Sequence, residues 1–254
     1  MAFGLEDKIA IVTGPGGFGR AYALGLADAG ARVVLADTAD SGPDICDAVR
    51  SVGHEALFVE TDVTSEESTL ARAATVAAEL GGADILVNNA ALFQGMPLPP
   101  LDPIEEMPIE RWNQVLTMNL TGPLLVTRAV APLFRARGGG VVVNQTSPAA
   151  WANSPGRIHY AVSKGALLPL TRSMARELAG DNIRVNAIAP GPVTTGDPAS
   201  LPAEMVARLT ERMCVKKVGT PEDLIGTLLF LASDLSSWMS GQVLVVDGGA
   251  VMLG

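Results

Sequence analysis

Lys8-Ile-Ala-Ile-Val-Thr-Gly14-Pro15-Gly16-Gly17-Phe18-Gly19 is the stretch that decides the fold. A short apolar run ends in a glycine-rich turn, and the helical pattern Arg20 to Ala29 follows at once. The run is apolar at successive positions rather than alternate ones, which marks a strand covered on both faces. Working outward, the same rhythm recurs. RVVLAD (32–37) precedes a helix over Pro43 to Val52, and EALFVETD (55–62) precedes a helix over Glu66 to Leu80. ADILVNN (83–89) leads through a proline-rich loop to a helix over Glu110 to Arg137. GGVVVNQTS (139–147) precedes a helix over Ile158 to Ala179, and IRVNAIAP (183–190) precedes helices over Leu201 to Met213 and Glu222 to Ala232. QVLVVDGG (242–249) is the last strand. Strands alternating with helices imply an α/β fold, a Rossmann-like, doubly wound, seven-stranded parallel sheet with helices on both faces. No linker or repeat divides residues 1–254, so one domain is expected.

Composition narrows the class. Of 254 residues, 48% are hydrophobic and 18% charged, a globular balance. A net charge of −9 argues against a nucleic-acid or anionic-membrane partner. Cys46 and Cys214 form neither a CxxC nor a Cys/His cluster, so no metal is expected, and two free thiols fit a reducing cytoplasm. The start, MAFGLEDKIAIV, is acidic where a signal peptide is basic, and no apolar run has the length of a membrane span.

Gly14, Gly16 and Gly19 satisfy a GxGxxG spacing where a strand meets a helix, the place where backbone N–H groups receive a pyrophosphate. Asp37 ends the second strand. A carboxylate there accepts hydrogen bonds from a ribose 2′-hydroxyl and repels a 2′-phosphate, which points to NAD; its bland alternatives are a solvated loop carboxylate or a helix cap. Tyr160 and Lys164 lie one helical turn apart on one face. A nearby ammonium favours a phenolate, and a tuned tyrosine exchanges a proton with an alcohol or ketone. Ser147 ends the fifth strand, facing the crevice where open α/β sheets bind ligands.

The glycine turn, Asp62-Val63, Asn88-Asn89-Ala90, Asn119, Ser147, Tyr160/Lys164, Pro190-Gly191 and Gly241-Gln242 with Asp247-Gly248-Gly249 occur in order. Together they resemble the short-chain dehydrogenase/reductase family in its single-domain form, over Lys8 to Gly249. The resemblance implies hydride exchange between a nicotinamide and a small alcohol or ketone. It assigns Ser147 to polarise the substrate oxygen, Tyr160 as acid/base, and Lys164 to lower the tyrosine pKa and hold the nicotinamide ribose. Asn119 helps hold a water linking Lys164 to solvent; its alternative is a helix-kink or capping residue. Gly14, Gly17, Phe18 and Gly19 form the pyrophosphate turn, Asp62 and Val63 flank the adenine, and Asn89 and Ala90 run beside the cofactor. Pro190, Gly191 and Val193, with Thr195, close over the nicotinamide and pyrophosphate. Asn88 reads as a structural bridge between strands. A homotetramer is implied, with helices over Arg111 to Arg137 and Ile158 to Ala179 pairing across subunits and the tail Ala250 to Gly254 against a partner.

Three features depart from the family pattern. The turn TGPGGFG is one residue shorter than TGxxxGxG, and NNAG becomes Asn88-Asn89-Ala90-Ala91. Leu92 to Trp112 is longer and carries Pro97, Pro99, Pro100, Pro103 and Pro108. That segment either walls the substrate pocket, packs on a neighbouring subunit, or is a tolerated insertion. His159 diverges from Tyr160 by about 100° and reads as structural, His54 as a loop residue, and Cys214 as filler. Pocket candidates are Phe93, Gln94, Pro148, Ala149, Trp151, Asn153, Arg157 and Met205 to Met213. Most are apolar, favouring a neutral, hydrophobic substrate; Arg157 pairs either with a substrate carboxylate or with a surface acid. The competing functions are a 3-oxoacyl thioester reductase, a nucleotide-sensing regulator and a structural subunit.

Overall fold

A computed structural model describes residues 3–38, 42–92, 103–152 and 156–253. Seven parallel strands form one sheet: β1 (Ile9–Thr13), β2 (Arg32–Asp37), β3 (Ala56–Glu60), β4 (Ile85–Asn88), β5 (Gly140–Gln145), β6 (Ile183–Pro190) and β7 (Val243–Val246). Their order is β3-β2-β1-β4-β5-β6-β7, so the winding reverses between β1 and β4 and opens a crevice at the strands' carboxyl ends.

The strands are apolar throughout because each face has its own core. Ala10, Val12, Val33, Leu35, Ile85, Val87, Val141 and Val143 point to one face, against Leu26, Leu224 and Leu228. The intervening Ile9, Ile11, Val34, Leu86, Val142 and Val185 point to the other, against Val126, Val130, Phe134 and Met174. Period-two side chains thus alternate between two dry layers rather than between core and water.

On the first face lie α1 (Arg20–Asp28), α2 (Gly42–Ser51) and, further along the chain, α8 (Glu222–Ala232). α3 (Glu66–Leu80) belongs to the second face. The Ser65 hydroxyl caps it, accepting from the Ser68 N–H at 3.2 Å; Glu66 and Glu67 sit in its first turn, and Gly81 ends it at φ 78°. The helix expected over Glu110 to Arg137 is broken. α4 (Ile109–Leu116) runs into a wide turn at Thr117–Thr121, and α5 (Gly122–Ala136) resumes after it. Pro123 is the physical reason: it has no N–H for the Asn119 carbonyl, and its ring crowds that carbonyl. α6 (Ile158–Glu177) packs on β6, and α7 (Ala203–Thr210) is short. Among the described residues, no helix is long and apolar enough to cross a membrane.

Candidate active site

A cavity of about 650 Å³ opens over the carboxyl ends of β1, β2, β4, β5 and β6. Its floor begins at the glycine turn. Gly14 (φ 65°, ψ 70°) and Gly17 (φ 58°, ψ −117°) hold left-handed conformations that a side chain resists. A Cβ on Gly14 would lie 2.6 Å from the Ala90 Cα, whereas Gly16 faces open space. Bare backbone therefore meets the cavity, the cradle a pyrophosphate requires. Gly19 is buried against the Gly14 carbonyl, below the cavity wall. Thr13 locks the turn to the next strand: its Oγ1 accepts the N–H groups of Asn89 and Ala90, each at 3.1 Å. The Asn89 amide donates to the Gly14 carbonyl at 2.5 Å. Even shortened by one residue, the turn is thus tied down from both sides.

The cavity gathers most of the residues expected for a cofactor: Gly14, Gly17, Phe18, Asp37, Asn89, Ala90, Tyr160, Lys164, Pro190, Gly191, Val193 and Thr195 all line it. Asp62 and Val63 do not. The Asp62 carboxylate accepts from the Thr64 N–H and hydroxyl, and Val63 is buried against Gly122. Of the substrate-pocket candidates, Pro148, Ala149, Arg157 and Leu209 line the cavity. Trp151 does not, and Phe93, Gln94 and Asn153 lie outside the described residues, as does most of the proline-rich segment. Among the described residues, no cluster of three or more His, Cys, Asp or Glu side chains is arranged for a metal ion.

Ser147, Tyr160 and Lys164 converge at the β5 end. Ser147 follows β5 in extended conformation, and its hydroxyl accepts the Ala149 N–H at 3.2 Å. The Thr146 hydroxyl donates to the Lys164 carbonyl at 2.7 Å, which clamps α6 to β5. The Lys164 Nζ donates to the Gln145 carbonyl at 2.8 Å and stands 6.0 Å from the centre of the Tyr160 ring. Burial is the main influence on Tyr160 and raises its pKa; a hydrogen bond with Ser147 and the charge of Arg157 pull it back down. Burial pushes Lys164 from 10.5 down to about 7. In this arrangement Ser147 and Arg157 make the phenol more acidic, while one of the three donors of the lysine goes to a backbone carbonyl. Nothing in the sequence singles out Gln145 or Thr146, because they act through tertiary contacts rather than a motif.

Asn119 is fully buried in the turn before α5, outside the cavity wall. Its Oδ1 accepts the Leu92 N–H at 2.7 Å, and its Nδ2 donates to the Leu92 carbonyl and the Ser163 hydroxyl, each at 3.1 Å. Asn88 bridges β4 to its neighbours, donating to the Asn144 Oδ1 at 2.8 Å and the Thr127 hydroxyl at 3.1 Å. His54 pairs with Asp28 at 2.9 Å. His159 is buried and lines, with Tyr160, a second, smaller recess.

Comparison with known proteins agrees with this geometry. A family model described as enoyl-(acyl carrier protein) reductase matches residues 12–251. An uncharacterized oxidoreductase of Mycobacterium tuberculosis is 42% identical over 250 residues, 97% of this chain and 98% of its own. A solved 7α-hydroxysteroid dehydrogenase, complexed with NADH and 7-oxoglycochenodeoxycholic acid, is 36% identical with a TM-score of 0.89, covering 99% of this chain and 97% of that one. A gluconate 5-dehydrogenase from Burkholderia cenocepacia, complexed with NADP and tartrate, is 32% identical with a TM-score of 0.89, covering 98% and 97%. With its parallel sheet, glycine cradle and full-length match, the chain belongs to the short-chain dehydrogenase/reductase family of nicotinamide-dependent oxidoreductases acting on CH–OH groups.

Proposed function

We propose that this protein is an NAD(H)-dependent dehydrogenase/reductase that interconverts a small secondary alcohol and its ketone. The observation that carries this reading is the convergence of Ser147, Tyr160 and Lys164 on one cavity that Asp37 also lines. Asp37 ends β2 and Gln145 ends β5, three strands apart, roughly 14 Å at ordinary strand spacing. That span suits an extended dinucleotide with its adenosine ribose near Asp37. The turn from Gly14 to Gly19 would hold the pyrophosphate, Asn89 and Ala90 the cofactor's flank, and Pro190 to Val193 with Thr195 the nicotinamide end. Lys164 would hold the nicotinamide ribose. Relatives bind NADH or NADP, so family membership does not choose between them. Asp37 supports NAD, since a carboxylate accepts from a 2′-hydroxyl and repels a 2′-phosphate.

The bound nicotinamide supplies the hydride acceptor or donor. Moving the proton falls to the chain. Ser147 hydrogen-bonds the substrate oxygen; the Tyr160 phenolate takes its proton in oxidation, and the phenol returns it in reduction. Pro148, Ala149, Leu201 and Leu209 favour a hydrophobic substrate body. A sensing regulator or a structural subunit has no need of all three convergent groups, and a 3-oxoacyl thioester reductase using NADPH is disfavoured by Asp37.

The same reading takes residues 1–254 as one domain in a homotetramer. Leu124 on α5 and Ile158 and Val162 on α6 are exposed apolar side chains at 46%, 37% and 42%, on the two helices expected to pair across subunits. Two free cysteines suit the cytoplasm. Titrating NAD and NADP by intrinsic fluorescence, then screening secondary alcohols for NADH production, tests the function. Tyr160→Phe should lower turnover by about 10²–10⁴-fold; full turnover in that variant would overturn the mechanism.

A further inference from the structure

We infer that the recess beside Tyr160 is a carboxylate-binding subsite in which Arg157 selects substrates carrying an acidic group at one end and the reacting alcohol at the other. This rests on the dehydrogenase reading above and takes up the carboxylate alternative for Arg157 in place of the neutral substrate favoured from the sequence. The recess has a volume of about 160 Å³, and Arg111, Gln114, Arg157, His159 and Tyr160 are among the residues lining it. One buried water needs on the order of 10–15 Å³, so the space holds a carboxylate with several carbons. Arg157 and Tyr160 line both the recess and the larger cavity, and so form the wall the two spaces share. A ligand with its hydroxyl at Tyr160 and Ser147 therefore has room to extend past the tyrosine to the guanidinium.

Arg157 is built for an anion that the described residues do not supply. Its Nη2 is buried and has no hydrogen-bond partner, and among the described residues Arg157 makes no ion pair. A guanidinium cannot shed its proton to escape that position, and a buried charged donor without an acceptor is unfavourable. Among the described residues, no Asp or Glu lines the recess, and Asp37, at the β2 end, is the one acid lining the larger cavity. Gln114 adds a polar amide. A planar, singly charged carboxylate matches the fork and the charge of Arg157.

The test is calorimetric titration of the full chain, with and without NADH, with benzoate and with its neutral isostere benzamide. Benzoate should bind the wild type about tenfold or more tightly than benzamide. Arg157→Leu should abolish the preference, and Arg157→Lys, which keeps the charge but loses the fork, should retain part of it. An NAD titration of each variant reports whether the fold survives. Should a variant fail to fold, the wild-type comparison at low and high salt still decides, since a charge preference weakens with ionic strength. Equal affinities in the wild type, or a preference surviving in Arg157→Leu, would overturn the subsite. If alcohols are oxidised but the two probes bind alike, the subsite alone falls. If no alcohol yields NADH yet benzoate is preferred, the dehydrogenase reading falls and the anion site stands.

Discussion

Replacing Asp37 with serine should move this protein from NAD towards NADP. Asp37 is the last residue of β2, and its pairing opposite Glu60 of β3 uses backbone alone, so the substitution leaves the sheet intact. Its Oδ1 accepts the Thr38 N–H at 2.8 Å, which fixes the carboxylate at the cavity edge. Among the described residues lining that cavity, the cationic side chains, Arg157 and Lys164, belong to the opposite end near β5. A hydrogen bond from a ribose hydroxyl to a charged carboxylate contributes about 1.5–3 kcal/mol, so its loss should weaken NAD by about 10–100-fold. Like charges about 4 Å apart repel by about 4 kcal/mol at an effective dielectric of about 20. Asp37 is partly exposed, so screening leaves about 1–2 kcal/mol, a gain for NADP of about 5–30-fold. The product is a swing of about 10²–10³ in the NADP-to-NAD affinity ratio. Fluorescence titration of both proteins with both cofactors measures it. A ratio that stays put, with NAD affinity unchanged, would show that Asp37 does not meet the ribose and would remove the basis for NAD.

Other perturbations probe the proton-handling groups and their support. Ser147→Ala should lower turnover by about 10²–10³-fold. It should also shift the rising, acid-side limb of the alcohol-oxidation profile to higher pH, because oxidation needs the phenolate and the hydrogen bond that pulls Tyr160 down is lost; kcat/KM against pH reads this, and an unmoved limb contradicts it. Lys164 gives a stability signature. Its folded pKa is about 7 and its ordinary value 10.5, so between them the unfolded chain holds the proton more tightly. Wild-type stability should therefore rise with pH through that window relative to Lys164→Met, by up to about 1.4 kcal/mol per pH unit, and the difference should flatten below about pH 7. Urea melts of the two proteins across that range check the sign, and parallel curves would refute it. Asn88→Leu should destabilise the fold by about 2–4 kcal/mol, because it strips a donor from the buried Asn144 and Thr127 oxygens. The folded fraction should bind NAD as before; a large affinity loss would place Asn88 in the cofactor site instead.

What could be read from the chain depended on whether the deciding interaction was local. α3 and α8 begin and end where their patterns do, Glu66–Leu80 and Glu222–Ala232, and β6 spans the apolar run Ile183–Pro190. In α3 the signals are short-range: a serine cap, two acids in the first turn and a glycine stop. Strand identity was equally plain because two covered faces demand unbroken apolar runs. That Ser147, Tyr160 and Lys164 would meet at one cavity was legible from strand-end placement and helical spacing together with the family resemblance. The Gln145 carbonyl holding the lysine, the withdrawal of Asp62 and Val63 from the cavity, and the missing partner of Arg157 were not. Each depends on which atoms meet across the fold, and no periodicity encodes that.

The turn at Thr117–Thr121 joins the local to the distant. Pro123 is visible in the sequence, but a proline near a helix start is compatible with a fresh first turn as well as with a defect. Here the upstream helix is already running, so the missing N–H and the ring open the turn around Asn119 and aim its amide inward. That amide grips both backbone groups of Leu92, which lines the recess, and also holds the Ser163 hydroxyl, which donates in turn to the Tyr160 carbonyl at 2.8 Å. Three of the four hydrogen-bonding positions of the amide are thereby engaged. A backbone defect on one helix thus anchors the first turns of another and one wall of the recess. Asn119 accordingly acts on the site through the placement of Leu92 and Ser163. The water-holding role implied by the family resemblance is left the one acceptor position of the amide that those contacts spare and the Asn119 backbone carbonyl, which Pro123 cannot serve.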